Sequence, residues 1–149
     1  MLSAAVPYSV HAVHLTHHLR RSIMSKFENN AVTWFEIPTS DFKRATEFYE
    51  SVLDVKLRAF PGPEPCNMFP SGDGGVGGCI VERAGHTPSN AGPLVYLNVD
   101  GKLDASLKRA QQMGTTVLVP RSEIPGGFGY YACIQDSEGN HVGLHSKMF

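Results

Sequence analysis

From Ala31 onward, apolar residues recur in two periods, and the two periods follow each other in the same order twice. AVTWFEIPT is rich in β-branched and aromatic residues and reads as a strand. In DFKRATEFYESVL the residues Phe42, Ala45, Phe48 and Val52 recur at helical spacing. Ser40 or Thr39 is the expected N-cap of that helix, with Asp41 favourable in its first turn. VKLRAF alternates as a strand, PGPEP breaks it, and CNMFPSGDGGVGGCIVE reads as a hairpin turning at Gly72 to Gly75. The second half repeats this order. PLVYLNV is a strand, and Asp100 is the expected cap of GKLDASLKRAQQM, whose stripe is Leu103, Leu107 and Ala110. Gly114 suits the left-handed position after that helix. TTVLVP is a strand, RSEIPGGFG a loop, and YYACIQDSEGNHVGLHS a hairpin turning at Glu138-Gly139.

The spacing predicts an α+β fold of two tandem βαβββ modules, one over residues 31–85 and one over residues 93–147, with His86 in the Pro/Ser-rich stretch that joins them. Superposed, Trp34 falls on Leu94, Glu36 on Tyr96 and Gly78 on Gly143. A chain of 149 residues has room for one such domain with a sizeable core. A net charge of -1 gives no electrostatic case for a nucleic acid or an anionic membrane partner. No apolar run reaches the length needed to span a bilayer. The three cysteines, Cys66, Cys79 and Cys133, are far apart and form no CxxC, so a reducing compartment and a cytoplasmic protein are expected. Residues 1–30 differ from the rest: no acidic residue precedes Glu28, and four of the seven histidines lie here. They read as a leader that is disordered or not native; its Arg and Ser content, with no acid before Glu28, resembles a transit peptide, and the plainer reading is that translation starts at Met24. His11, His14, His17 and His18 would bind metal only as a tag does.

Two phrases, IPTSDFKRATEFYESVLDVKL and VYLNVDGKLDASLKRAQQMGTTVLVP with the later DSEGNHVGL, make the chain resemble the vicinal oxygen chelate family of glyoxalases, extradiol dioxygenases and bleomycin-resistance proteins. The resemblance implies sheets that curl into a mixed-sheet cup with the helices outside. In catalytic members the cup holds a divalent metal, bound by His, Glu or Gln side chains, that chelates vicinal oxygens of the substrate. Here the implied ligand positions carry Trp34, Gly78, Leu94 and Gly143, which cannot coordinate such a cation. No cofactor is therefore expected, and Zn, Fe, Mn, Ni or Mg would need a displaced site.

Residues two away from a cup-facing position share its face. On that basis Glu36 and His145 are the candidate catalytic pair, and Trp34, Tyr96, Tyr131 and His141 the candidate ligand-binding residues. Asp136 is expected opposite His141, fixing its tautomer. Each has a plainer reading: Glu36 as a solvent-facing edge residue, His145 and His141 as exposed, Trp34 as a wall aromatic. The first reading of function is a protein that binds a small molecule in the cup, with Glu36 unpaired or half-paired for it. The alternative is a metal-dependent lyase or dioxygenase using Glu36 and His145. A homodimer is left open. Because nothing in residues 1–23 matches the repeat, their deletion is expected to leave the melting temperature unchanged. A large drop on a thermal scan would show that they pack on the domain.

Overall fold

The structure, a computed structural model, describes residues 30–148, so the expected leader lies, but for Asn30, outside the described residues. Residues from Val32 on form one compact unit. Their order is β1 (Trp34–Pro38), α1 (Phe42–Leu53), β2 (Arg58–Ala59), β3 (Cys66–Met68), β4 (Gly77–Val81), β5 (Val95–Asn98), α2 (Leu103–Gln112), β6 (Val117–Glu123), β7 (Tyr130–Gln135) and β8 (His141–Ser146). These are two βαβββ modules. Each has a four-stranded mixed sheet, in the orders β1-β4-β3-β2 and β5-β8-β7-β6, with its first strand at an edge and parallel to its last.

One face of each sheet packs under the helices. Ile37 and Ile80 supply that face in the first sheet; Leu97, Ala132, Ile134, Val142 and Leu144 supply it in the second. The helical stripe joins them through Ala45, Phe48, Tyr49 and Val52 of α1 and Leu103 and Ala110 of α2. The two helices touch, and the Arg109 guanidinium donates to the Val52 carbonyl at the end of α1 (2.9 Å).

Several local expectations shift. The N-cap of α1 is Asp41, whose carboxylate accepts from the Arg44 amide (2.9 Å), rather than Ser40 or Thr39. Asp100 does not cap α2, which has no side-chain cap; its carboxylate instead collects the amides of Lys147 and Met148. VKLRAF keeps only a short strand at Arg58–Ala59, because the chain leaves α1 through a left-handed Asp54 and pairs only once it meets β3. Arg121 to Glu123, expected in a loop, continue β6 against Tyr130 and Tyr131.

The reason Ser40 is not the cap is that a residue from the other module occupies this helix end. The β7–β8 turn docks there. The Glu138 carboxylate accepts from the Ser40 hydroxyl (2.8 Å), the amides of Ser40 (3.0 Å) and Asp41 (2.9 Å), and the Arg44 guanidinium (2.9 and 3.0 Å). A carboxylate at a helix N-terminus meets free amides and the positive end of the helix dipole. The Glu138 side chain is fully buried. Burial alone would raise its carboxyl, but Arg44, Ser40 and Asp41 outweigh that and hold it at about 2. Beside it, the Tyr49 hydroxyl donates to the buried Asp136 (2.6 Å), and Asn140 donates to Asp136 (2.8 Å) and to the Pro38 carbonyl (2.9 Å). Burial, then the charge of Asp136, pushes the Tyr49 phenol well above its ordinary value, so it stays a donor.

Glu138→Gln keeps the shape and removes the charge, and is expected to cost about 2–3 kcal/mol at neutral pH. Because the folded-state carboxyl is depressed, this stabilisation is complete above the unfolded-state value of about 4.3 and is lost as pH falls toward 2. Urea midpoints of wild type and Glu138→Gln should therefore differ at pH 7, draw together as pH falls below about 4, and meet only near pH 2. A gap that persists in acid would contradict the pairing.

Candidate functional site

The faces turned away from the helices carry most of the chemistry. On the first sheet this open face presents Trp34 and Glu36 from β1, Cys79 and Val81 from β4, and Cys66 from β3, as the pairing register requires. On the second it presents Tyr96 and Asn98 from β5, His141, Gly143 and His145 from β8, and Tyr131 and Cys133 from β7. Gly143 leaves room for Tyr96: a Cβ there would lie 2.3 Å from the Tyr96 ring. Gly78 does not share this role. It faces the helix side, where a Cβ would lie 2.4 Å from the ring of Phe35, so the residue matching Gly143 by pairing is Cys79. The hairpin of module one was thus misread by one residue, which moves each side chain to the other face.

Three cavities meet at Glu36. A cleft of 670 Å³ runs between the edge strands β1 and β5, lined mainly by apolar groups that include Phe35, Phe69, Leu94 and Tyr96. A pocket of 320 Å³ on the open face of sheet one is lined by Trp34, Phe60, Cys66, Cys79 and Arg83. A third, of 200 Å³, lies under the linker among His86, Ser89, Asn140 and His141. Glu36 is the one residue that lines all three.

Both Glu36 oxygens accept from the Arg83 guanidinium (2.9 and 3.0 Å), and the same guanidinium donates to Glu64 (2.7 Å). The expectation of an unpaired or half-paired Glu36 is therefore corrected: Arg83 comes two residues after Val81 and reaches from beyond the end of β4 to the neighbouring β1. The hydrogen bonds it donates to Glu36 and then to Glu64 raise the Arg83 guanidinium further, so it stays charged. Two carboxylates share one cation, which leaves the site electronegative. The His86 Nε2 lies 3.9 Å from Glu36, buried and without a hydrogen-bond partner.

The structure brings Glu36 and His141 to one cavity, and Glu36 and Tyr96 to another. It places His145 elsewhere, on sheet two, with its Nε2 2.9 Å from the Phe128 carbonyl in the glycine-rich loop. Tyr96 and Tyr131 meet edge to face there, with ring centroids 6.1 Å apart. Trp34 lines the sheet-one pocket. Asp136 does not hold His141: Gln135 pairs opposite His141, and Asp136 is spent on Tyr49 and Asn140. Sequence reasoning missed Arg83, Glu64, Phe60, Cys66 and Cys79. The alternation Cys79, Val81, Arg83 was the signal for the residues on and just after β4.

The residues present do not fit the divalent metal centre that the family implies. Among the described residues no three His, Cys, Asp or Glu side chains converge as a metal site, Glu36 is held by Arg83, and His145 is held by Phe128.

A family model described as Glyoxalase/Bleomycin resistance protein/Dioxygenase superfamily matches residues 31–144. Among curated proteins none matches the chain. Among solved structures, the chain is similar to a glyoxalase/bleomycin resistance protein from Streptomyces sp. CB03234, at 25% identity and a TM-score of 0.58, over 77% of this chain and 99% of that one. It is similar to TnmS3, an antibiotic binding protein from the same Streptomyces strain, at 25% identity and a TM-score of 0.58, over 80% and 98%. It shares its fold with the fosfomycin resistance protein FosX from Listeria monocytogenes, at 14% identity and a TM-score of 0.58, over 80% and 91%. Among the described residues no helix is long and apolar enough to cross a membrane.

If Arg83 is the partner of a half-buried Glu36, removing the cation alone should hurt more than removing the pair. Arg83→Met is expected to melt below the double variant Glu36→Gln/Arg83→Met. Equal or reversed melting temperatures would show that the two side chains are not coupled.

Proposed function

This chain belongs to the glyoxalase/bleomycin resistance protein/dioxygenase superfamily, and within it we propose that the protein binds a small, largely apolar molecule in the cleft between its two modules, without the family's metal. The observation that carries this reading is the position of Glu36. It is a charged group on the wall of an otherwise mainly apolar cleft of 670 Å³. Binding sites for drug-sized ligands have this composition: apolar walls and a few polar groups that fix orientation. With both oxygens near Arg83 and one carboxylate in excess over the guanidinium, Glu36 favours a ligand that carries a cation or a hydrogen-bond donor. Tyr96 and Phe35 give such a ligand aromatic surface. The likeness to an antibiotic binding protein of Streptomyces supports a small-molecule-binding role.

A thermal-shift screen of aromatic compounds bearing amine or amide groups, run with a chelator present, tests this. Ligand that binds only the folded protein raises its melting temperature by mass action. Glu36→Gln is expected to weaken each hit by ~10-fold or more, the scale of a hydrogen bond to a charged group. Stabilisation that appears only when Zn, Fe, Mn, Ni or Mg is added back would defeat the metal-free reading. Unchanged affinity in Glu36→Gln would remove Glu36 from the site.

A further inference from the structure

The pocket on the open face of sheet one holds chemistry that the cleft does not use. Cys66 pairs with Val81 and Met68 with Cys79, so the two cysteines stand on neighbouring antiparallel strands, two residues out of register and on one face. Both line the same 320 Å³ pocket, and both are free thiols. Cys79 is 1% exposed and Cys66 is half-buried. Trp34, Phe60 and Val81 supply an apolar wall beside them.

We propose that Cys66 and Cys79 form a two-thiol receptor for a trivalent arsenical that carries an apolar organic group. Diagonal neighbours on paired strands have Cα atoms ~7–8 Å apart. A disulfide wants about 4.4–6.8 Å and an S–S bond of about 2.05 Å, so a direct bond would require the strands to shift. A larger atom lodged between the two sulfurs would not. The placement of the two thiols on one face of an apolar-walled pocket, together with their protons, decides which atom. Burial, then the Cys66 thiol beside it, pushes Cys79 up to about 12. A soft metal cation would have to spread these adjacent sulfurs into line or find a third donor, and among the described residues none converges. An alkylating electrophile needs a thiolate and uses only one sulfur, and the buried Cys79 offers little thiolate at such a value. An arsenical oxide needs neither. R–As=O reacts with two R′–SH to give R–As(SR′)₂ and one H₂O. Both arsenic–oxygen bonds break, two arsenic–sulfur bonds form, and both thiol protons leave in the water. Arsenic stays trivalent, so no oxidant or reductant is consumed. Its third valence carries the organic group toward Trp34 and Phe60. This site does not depend on what the cleft binds.

The test uses phenylarsine oxide with the full, reduced chain. Intact mass should show one phenylarsenic adduct with loss of one water, resistant to excess mercaptoethanol and stripped by ethanedithiol. Trp34 is the only tryptophan in the sequence, so its fluorescence reads the same pocket. The apparent affinity should fall ~100-fold or more in Cys66→Ser and in Cys79→Ser, the scale of losing a second linked attachment. Cys133→Ser, on the other sheet, should bind as wild type. Where Cys79→Ser proves unstable, Cys66→Ser decides alone, since Cys66 is half-buried. A monothiol that strips the wild-type adduct as readily as that of Cys66→Ser would overturn the proposal. So would an adduct that survives in Cys66→Ser.

Discussion

The structure depends on the docking of the β7–β8 turn against α1. Glu138 is a fully buried carboxylate that occupies the N-terminus of a helix from the other module. It would be costly to bury without its partners, and with them it is a charge-assisted cap that only the docked arrangement supplies. Tyr49, Asp136 and Asn140 close the same contact from inside. The consequence reaches the cleft directly. Asn140 holds the Pro38 carbonyl at the end of β1, and Thr39 is held to Val81 at the end of β4. Glu36 lies two residues before Pro38, so the contact that joins the modules also fixes the residue at which the three cavities meet.

Glu36 is built into a charge arrangement that is incomplete in a specific sense. Arg83 sits between Glu36 and Glu64, and His86 presents a buried, unpartnered nitrogen to the same carboxylate. A guanidinium shared between two acids can release part of one of them to a ligand at less cost than breaking an isolated pair. That is the physical sense in which a paired Glu36 can still serve a binding site. A metal ligand would need its oxygens free, whereas an orienting contact for a donor or cation does not.

The modules, their order and their helical stripes were legible because they rest on local period. Phe42 to Val52 and Leu103 to Ala110 repeat at 3.6 residues whatever lies around them. Turns at Gly72–Gly75 and Glu138–Gly139 were legible from glycine and polar residues alone. What failed depended on distant partners. Asp41 takes the cap because Glu138 occupies Ser40, ninety-eight residues away in sequence. Gly78 and Cys79 were exchanged because glycines Gly77 and Gly78 stand side by side, and only pairing with β1 says which faces the helix. Glu36 stood out in the sequence as an acid in an apolar strand. Its partner Arg83 did not, because a salt bridge across two strands leaves no mark on spacing. His145 and Glu36 look equivalent by alternation, yet they lie on different sheets, held by Phe128 and Arg83 respectively.

The central claim is that a ligand enters the cleft between β1 and β5 beside Glu36. Backbone amide shifts, followed by NMR as a screened ligand is titrated, test it most directly. The account predicts the largest changes at Phe35 and Glu36 of β1 and at Leu94 to Asn98 of β5, with little change at Tyr131 and His145. Changes concentrated at Tyr131, His145 and the Phe128 loop, with β1 silent, would contradict it.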